Sequence, residues 1–263
     1  MAVYALADTS TMLRRNLLRM RRYPSLTVFI AGGPVIFLLL FVYVFGGTLG
    51  AGLGGQLAGG RDAYLAYVVP GILLITIAGA ATGTAISVAM DMQQGIIARF
   101  RTMAISRSAV LAGHAFGSVI QTMVALAIVT AVALLIGFRP TTGPISWLAA
   151  IGLLALASLA VTWLSVAMGM VTNSVETASN LPMILMLLPF LGSGFVPTDS
   201  MPDILRLFAQ NQPFTPIIET LRGLLSGTPI GDSGVIAVAW CVILAAIGYV
   251  WSLRLYERLP ART

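Results

Sequence analysis

The residues of this chain whose types and spacing suggest chemistry lie between two long apolar stretches. Asp91 to Arg107 reads DMQQGIIARFRTMAISR and carries Arg99, Arg101 and Arg107. Ile96, Phe100 and Met103 recur at i, i+4 and i+7, with Ile97 and Ala104 alongside, whereas Asp91, Gln94, Arg101 and Arg107 project largely elsewhere. That spacing predicts a short amphipathic helix between two membrane spans. Its chemistry is contact and charge pairing rather than bond-making. Periodicity alone leaves two readings open, a helix resting on the lipid surface and a helix with a partner.

Other candidate groups are few. The single histidine, His114, stands near the start of an apolar segment, where a hydrogen-bonding helix end is the plainer reading and a ligand or proton relay the sharper one. The single cysteine, Cys241, sits inside an apolar run, which excludes a disulfide framework and a thiolate metal cluster. No Ser/His/Asp or His/Glu arrangement supports hydrolysis. All 15 basic side chains are arginine, so the chain cannot contain a GxxxxGK[ST] phosphate loop and binds no ATP through one. The span interiors hold essentially no ionisable side chain; Glu176 falls in a short connection and Asp91 at a span end. Ion-coupled carriers need such groups within the membrane, and no selectivity-filter run suggests a channel. A transporter with neither motor nor ion relay draws its energy from a partner.

Positioning these residues is a membrane-protein problem. Of the 263 residues 58% are hydrophobic and 9% charged, and the mean hydropathy is +0.94; soluble domains carry roughly a quarter charged residues. The length allows one membrane domain, 1–263, and no separate soluble one. A net charge of +6 on such a chain points to anionic lipid headgroups rather than nucleic acid.

In chain order, residues 1–23 place Leu6, Leu13, Leu17 and Met20 on one helical face against Arg14, Arg15, Arg19, Arg21 and Arg22, a basic amphipathic helix for the interface plane. Pro24 turns the chain into an uncleaved first span over 25–47. Five more stretches have the roughly 20 apolar residues a span needs, over 67–90, 109–136, 145–171, 177–196 and 235–253. Gly46 to Gly60 reads as a flexible loop. Gly79, Gly83, Gly113 and Gly117 read as points of close helix packing. With the N-terminus inside, eleven arginines are cytoplasmic, and Arg61, Arg139, Arg206 and Arg222 lie outside. This satisfies the positive-inside rule and places both termini and Asp91–Arg107 in the cytoplasm. The external stretch 197–231 holds two short apolar helices. The first starts near Ser200, Pro202 and Asp203, Pro213 breaks it, and the second begins at Thr215–Pro216. Neither can cross a bilayer, so they dip part-way in or lie on the outer face.

Three stretches together resemble the membrane subunit of an ABC-2 type exporter, in the daunorubicin/doxorubicin-resistance branch. They are the basic helix before the first span, DMQQGIIARFRTMAISRSAVLAG at 91–113, and GSGFVPTDSMP with NQPFTPIIETLRGLLSG between Gly192 and Gly227. With the six-span order they cover nearly the whole chain. Family members often carry acidic residues before the signature glycine and Thr-Leu-Glu after it; here Gln93 and Gln94 precede Gly95 and Ile96 and Ile97 follow.

The resemblance implies an all-α, six-span permease with a cytoplasmic coupling helix between spans two and three and an external re-entrant hairpin between spans five and six. The coupling helix would seat in a groove on a separate ATP-binding subunit. Ile96, Phe100 and Met103 would fill the groove, Arg99, Arg101 and Arg107 would meet acidic or phosphate groups, and Gly95 would allow close backbone approach. Two such ATPases, carrying the Mg-ATP, and a second permease of the same or a related kind would complete a non-catalytic membrane subunit of the bacterial plasma membrane. Spans one, two and five would face the substrate path, offering Phe37, Phe41, Thr76, Asn180, Met183 and Met186, with Phe29, Tyr43, Thr82, Thr84 and Phe190 nearby. That wall suits a hydrophobic or amphiphilic drug better than a sugar polymer, although the same residues could simply pack helices or face lipid. Export of an envelope lipid or glycolipid, or secondary multidrug carriage, are the alternatives.

Overall fold

The computed structural model describes residues 24–52, 60–95, 107–172 and 174–258, with a few positions between 13 and 22. Among the described residues the regular structure is helical throughout. The elements are α1 (Pro24–Leu39), a π-helical turn (Leu40–Phe45), α2 (Gly46–Gly52), α3 (Gly60–Gln93), α4 (Arg107–Leu135), α5 (Pro144–Val171), α6 (Val175–Asn180), α7 (Met183–Leu187), a 3-10 turn (Thr198–Ser200), α8 (Asp203–Asn211), α9 (Phe214–Ser226) and α10 (Ser233–Arg258).

Among the described residues, five helices are long and apolar enough to cross a membrane: Thr27–Gly50, Gly60–Gln93, Leu111–Leu135, Pro144–Val171 and Ser233–Glu257. The central one is α3. Its most apolar window is 83% buried, against 17% for α10 and 22% for the first span. At 34 residues it is about 50 Å long, more than the roughly 30 Å hydrocarbon core requires. α1, α4 and α5 pack around it, α10 lies along α5, and α9 inserts between α3, α5 and α10. The outward faces of α1 and α10 stay apolar, as at Val28, Ile36, Val242 and Ile247, which suits lipid or another hydrophobic surface.

Three sequence expectations are corrected here. The stretch Gly46–Gly52 is helical rather than looped: α2 continues the first span through the π turn, and the Thr48 hydroxyl donates to the Phe45 carbonyl (3.0 Å). The span expected at 177–196 is not one helix. α6 ends at Asn180, α7 covers only Met183–Leu187, and turns occupy 188–195. Pro182 and Pro189 each remove a backbone donor, and Gly192 and Gly194 follow, so the helical ladder cannot run through. Close packing by glycine also occurs elsewhere than expected. A Cβ on Gly71 would stand 2.5 Å from the Gly194 carbonyl oxygen, and one on Gly248 would meet the Trp163–Leu164 backbone at 2.6 Å, whereas a Cβ on Gly79 would meet nothing within 4 Å.

The 197–231 stretch contains two helices broken at Gln212–Pro213, as Pro213 predicts. Ser200 does not cap the first; its hydroxyl donates to the Pro197 carbonyl at 2.7 Å, and the N-cap position is Pro202. α8 is largely exposed, while α9 buries Phe214, Ile217, Ile218, Leu221 and Leu225.

Candidate functional site

One end of the molecule is built by the facing ends of α3 and α4. α3 runs three residues beyond the predicted span, so Asp91 belongs to its last turn and is 6% exposed. The chain leaves that helix at Gly95, whose φ of +67° is left-handed; the Gln94 N–H donates to Met90 (2.9 Å) and the Gly95 N–H to Met92 (3.1 Å). A residue with a Cβ pays roughly 1 kcal/mol there. Gly95 therefore ends a membrane helix, and Asp91–Arg107 is not one continuous helix: its first three residues finish α3 and its last begins α4. The side chains of Ile96, Arg99, Phe100, Arg101, Met103 and Arg107 lie outside the described residues, as does most of the basic N-terminal helix.

His114 on α4 meets Asp91 on α3, with Nε2 3.1 Å from Oδ2 and both side chains under a tenth exposed. The pair ties together the two helices that flank the 96–106 segment. Sequence reading placed both residues at span ends and left them unconnected. The signal was available in that an acidic residue at the end of one span and a histidine at the start of the next are brought together by an antiparallel helix pair.

A second polar assembly surrounds the broken 188–196 segment. Helix breaking frees backbone carbonyls, and at membrane depth these must be satisfied by protein. Three side chains from other elements do so. Tyr64 Oη on α3 donates to Phe195 O (3.4 Å), Gln212 Nε2 to Leu188 O (3.0 Å), and Arg222 Nη2 on α9 to Ser193 O (2.7 Å). Arg222 Nη2 also donates to Tyr67 O (3.2 Å), Nη1 pairs with Glu219 (2.8 Å), and the guanidinium carbon stands 3.7 Å from the Tyr67 ring centroid. Sequence reading placed Arg222 only among the external arginines, with no sign of its burial; it is 9% exposed. Glu219 three residues earlier was the one local hint. Ahead of the same region in the chain, Ser174 caps α6 by accepting from the Thr177 N–H (3.1 Å). The carboxyl of Glu176 is held below its usual range by its own backbone N–H and the Ser174 hydroxyl.

The expected path residues separate into groups. Phe37 and Phe41 converge with Phe190 and Phe195: Phe41 and Phe195 centroids are 4.4 Å apart, Phe190 and Phe195 stack at 4.6 Å, and Phe37 meets Phe190 edge-on at 5.9 Å. They pack the first span onto the broken segment. Thr76 lies in the core, its hydroxyl donating to Ile72 O at 2.9 Å. Asn180 and Met183 are exposed on α6 and α7. Met186 reaches a cavity of about 470 Å³ between α1, α3 and α4, to which Phe29, Thr82 and Thr84 also contribute.

Comparison with known proteins accords with this architecture. The ABC-2 type transporter family matches residues 7–225. Across 259 residues, 98% of this chain and 88% of the relative, the chain is 29% identical to the daunorubicin resistance ABC transporter permease protein DrrB1 of Streptomyces coeruleorubidus. Across 200 residues, 72% of this chain and 71% of the relative, it is 26% identical to the probable doxorubicin resistance ABC transporter permease protein DrrC of Mycobacterium tuberculosis. The chain is thus a multi-pass membrane protein, and it belongs to the ABC-2 type transporter family.

Proposed function

We propose that this chain is the permease subunit of a bacterial ABC exporter that moves hydrophobic or amphiphilic compounds, drugs among them, out across the plasma membrane. The observation that carries the reading is the similarity, over 98% of the chain, to a permease named for daunorubicin resistance. The energy comes from a separate ATP-binding subunit, because a chain without lysine has no phosphate-loop lysine to hold the nucleotide. Mg-ATP binds there, two ATPases serve two permeases, and the permease itself catalyses nothing.

The 96–106 segment between α3 and α4 is the docking piece, its apolar side chains filling a groove on the ATPase and its arginines meeting acidic groups. α3 and α4, joined by Asp91–His114, carry the movement into the membrane as a rigid-body switch between two states. Both termini are cytoplasmic. The 177–196 stretch is the remaining crossing, fifth in chain order, interrupted but with its freed carbonyls bonded by Tyr64, Gln212 and Arg222. The α8–α9 hairpin re-enters the outer leaflet and closes that end, which the burial of α9 supports.

Co-purification with a candidate ATP-binding partner subunit tests the docking claim. Arg99→Glu with Phe100→Asp is expected to abolish the complex while leaving the permease folded. An intact complex would show that the segment is not the docking piece.

A further inference from the structure

A second cavity, of about 330 Å³, is a groove between α4 and α5 that α3 and α9 also line. Val69 and Leu73 of α3 and Leu225 of α9 are buried and form its floor, whereas Ala127, Ala131 and Ile151 are exposed at its mouth. Leu135 and Leu148, on the same two helices, are also exposed, so the mouth opens onto an apolar surface suited to lipid. Along α4 the lining runs from Met123 to Leu134, about 16 Å at the helical rise. Met123 is the midpoint of the span Leu111–Leu135. The groove therefore follows one half of that span, and its length matches half of the roughly 30 Å hydrocarbon core.

What stands at the end of the groove follows from Gly137. Its left-handed φ of +113° turns the chain back where α4 stops, so the Phe138 N–H donates to Ala133 O (2.9 Å) and Phe138 is buried in the lining. Arg139 comes next. Its Nη1 donates to Leu134 O (3.0 Å) and Phe138 O (3.4 Å), the carbonyls of two lining residues. Both bonds leave from one nitrogen of an exposed side chain, and a guanidinium has five N–H donors. Among the described residues no carboxylate stands within 4 Å of it, and Asp8 is the one acidic residue outside that set. Half-buried Trp147, in the first turn of α5, lines the groove as well. Tryptophan favours the headgroup boundary, and an arginine with donors to spare at that level matches the oxygens of a phosphate.

We propose that the groove is a resident-lipid site, in which one acyl chain of an anionic phospholipid fills the cavity and its phosphate pairs with Arg139. Depth and charge together select this occupant. A zwitterionic lipid brings its own cation beside the phosphate, whereas an anionic one leaves the guanidinium as the countercharge. Among the described residues the lining takes nothing from α1 or the broken segment, so the site is separate from the path expected for cargo. The chain seated there also braces α9 through Leu225. The α4–α5 loop already holds that helix, with the Thr141 N–H donating to Leu225 O (3.2 Å) and its hydroxyl to Ser226 O (3.0 Å). The inference needs the membrane setting alone and stands apart from the export reading.

Photocrosslinking of the full chain in nanodiscs tests it, using phosphatidylglycerol or phosphatidylcholine with the same diazirine-bearing acyl chain. Phosphatidylglycerol adducts are expected at 123–134 of α4 and 147–154 of α5. Phosphatidylcholine adducts there should be about fivefold fewer, the factor set by one arginine near a lipid surface. Arg139→Gln should bring phosphatidylglycerol down to the phosphatidylcholine level, and Ala131→Trp, which fills the mouth, should reduce both to background. Ile247→Trp, on the exposed apolar side of α10, is the control and should leave groove labelling unchanged. Equal groove labelling by the two lipids in the parental chain would overturn the proposal, and that comparison needs no variant to fold. Adducts no denser in the groove than on the exposed face of α10 would mean general lipid contact and defeat it as well. Cross-linking of Ala131→Cys to a second copy of the chain would make the groove a protein interface, which also contradicts a resident lipid.

Discussion

Arg222 Nη2 stands 2.7 Å from the Ser193 carbonyl oxygen, so one guanidinium on α9 holds the broken segment to the central helix, whose Tyr67 carbonyl it also meets. Its 9% exposure makes those bonds worth more than at a surface. Replacing it with methionine keeps the bulk but leaves two carbonyls and Glu219 without it. Arg222→Met is expected to cost about 2–4 kcal/mol of stability. Arg222→Lys should recover little, because a single ammonium cannot reproduce the fork or the stack on Tyr67. Cys241 is the only cysteine and is buried, so a thiol-reactive dye reports unfolding directly. A melting curve superimposable on the parent's would contradict this role.

The Asp91–His114 contact predicts energetic coupling between the helices on either side of the 96–106 segment. Asp91→Asn, His114→Ala and the double variant form a cycle. The double variant should be less destabilised than the two single losses added together, with a coupling of about 1–3 kcal/mol. Denaturation of the three proteins in one detergent gives the number. Strict additivity would mean that the 3.1 Å contact carries nothing.

Backbone approaches backbone closely between Gly71 on α3 and Gly194 in the broken segment, where an added Cβ would lie 2.5 Å from a carbonyl oxygen. Backbone cannot retreat as a side chain can. Gly71→Val is expected to lower stability by about 1–3 kcal/mol, while Gly152→Ala, open on its side, should be neutral or slightly stabilising because alanine favours the helix. Thermal melts of the pair separate a packing effect from a helix-propensity effect, and equal melting temperatures would sink it.

Much of the helical plan was legible in composition. Long apolar runs bounded by arginine, proline or glycine identify α1, α3, α4, α5 and α10, because lipid forces the backbone to satisfy itself within each run. Pro213 likewise marked the break between α8 and α9. What stayed hidden depended on contacts between distant residues. The 177–196 run is apolar over about the length of a span, and the prolines and glycines were the hint that the ladder would fail. Arg222 looks exposed in sequence because arginine usually is; its burial depends on carbonyls 29 and 155 residues away. Gly79 and Gly83 resemble packing glycines, and only the position of α1 shows that they face a cavity.

The account's central claim is that a separate ATPase drives this permease through the segment between α3 and α4. It is tested most directly by reconstituting both proteins in liposomes and following ATP-dependent accumulation of rhodamine 6G. Accumulation is expected only with both subunits and ATP present, and Arg99→Glu with Phe100→Asp should abolish it. Accumulation that persists in that variant, or that runs on an ion gradient without the ATPase, would contradict the account.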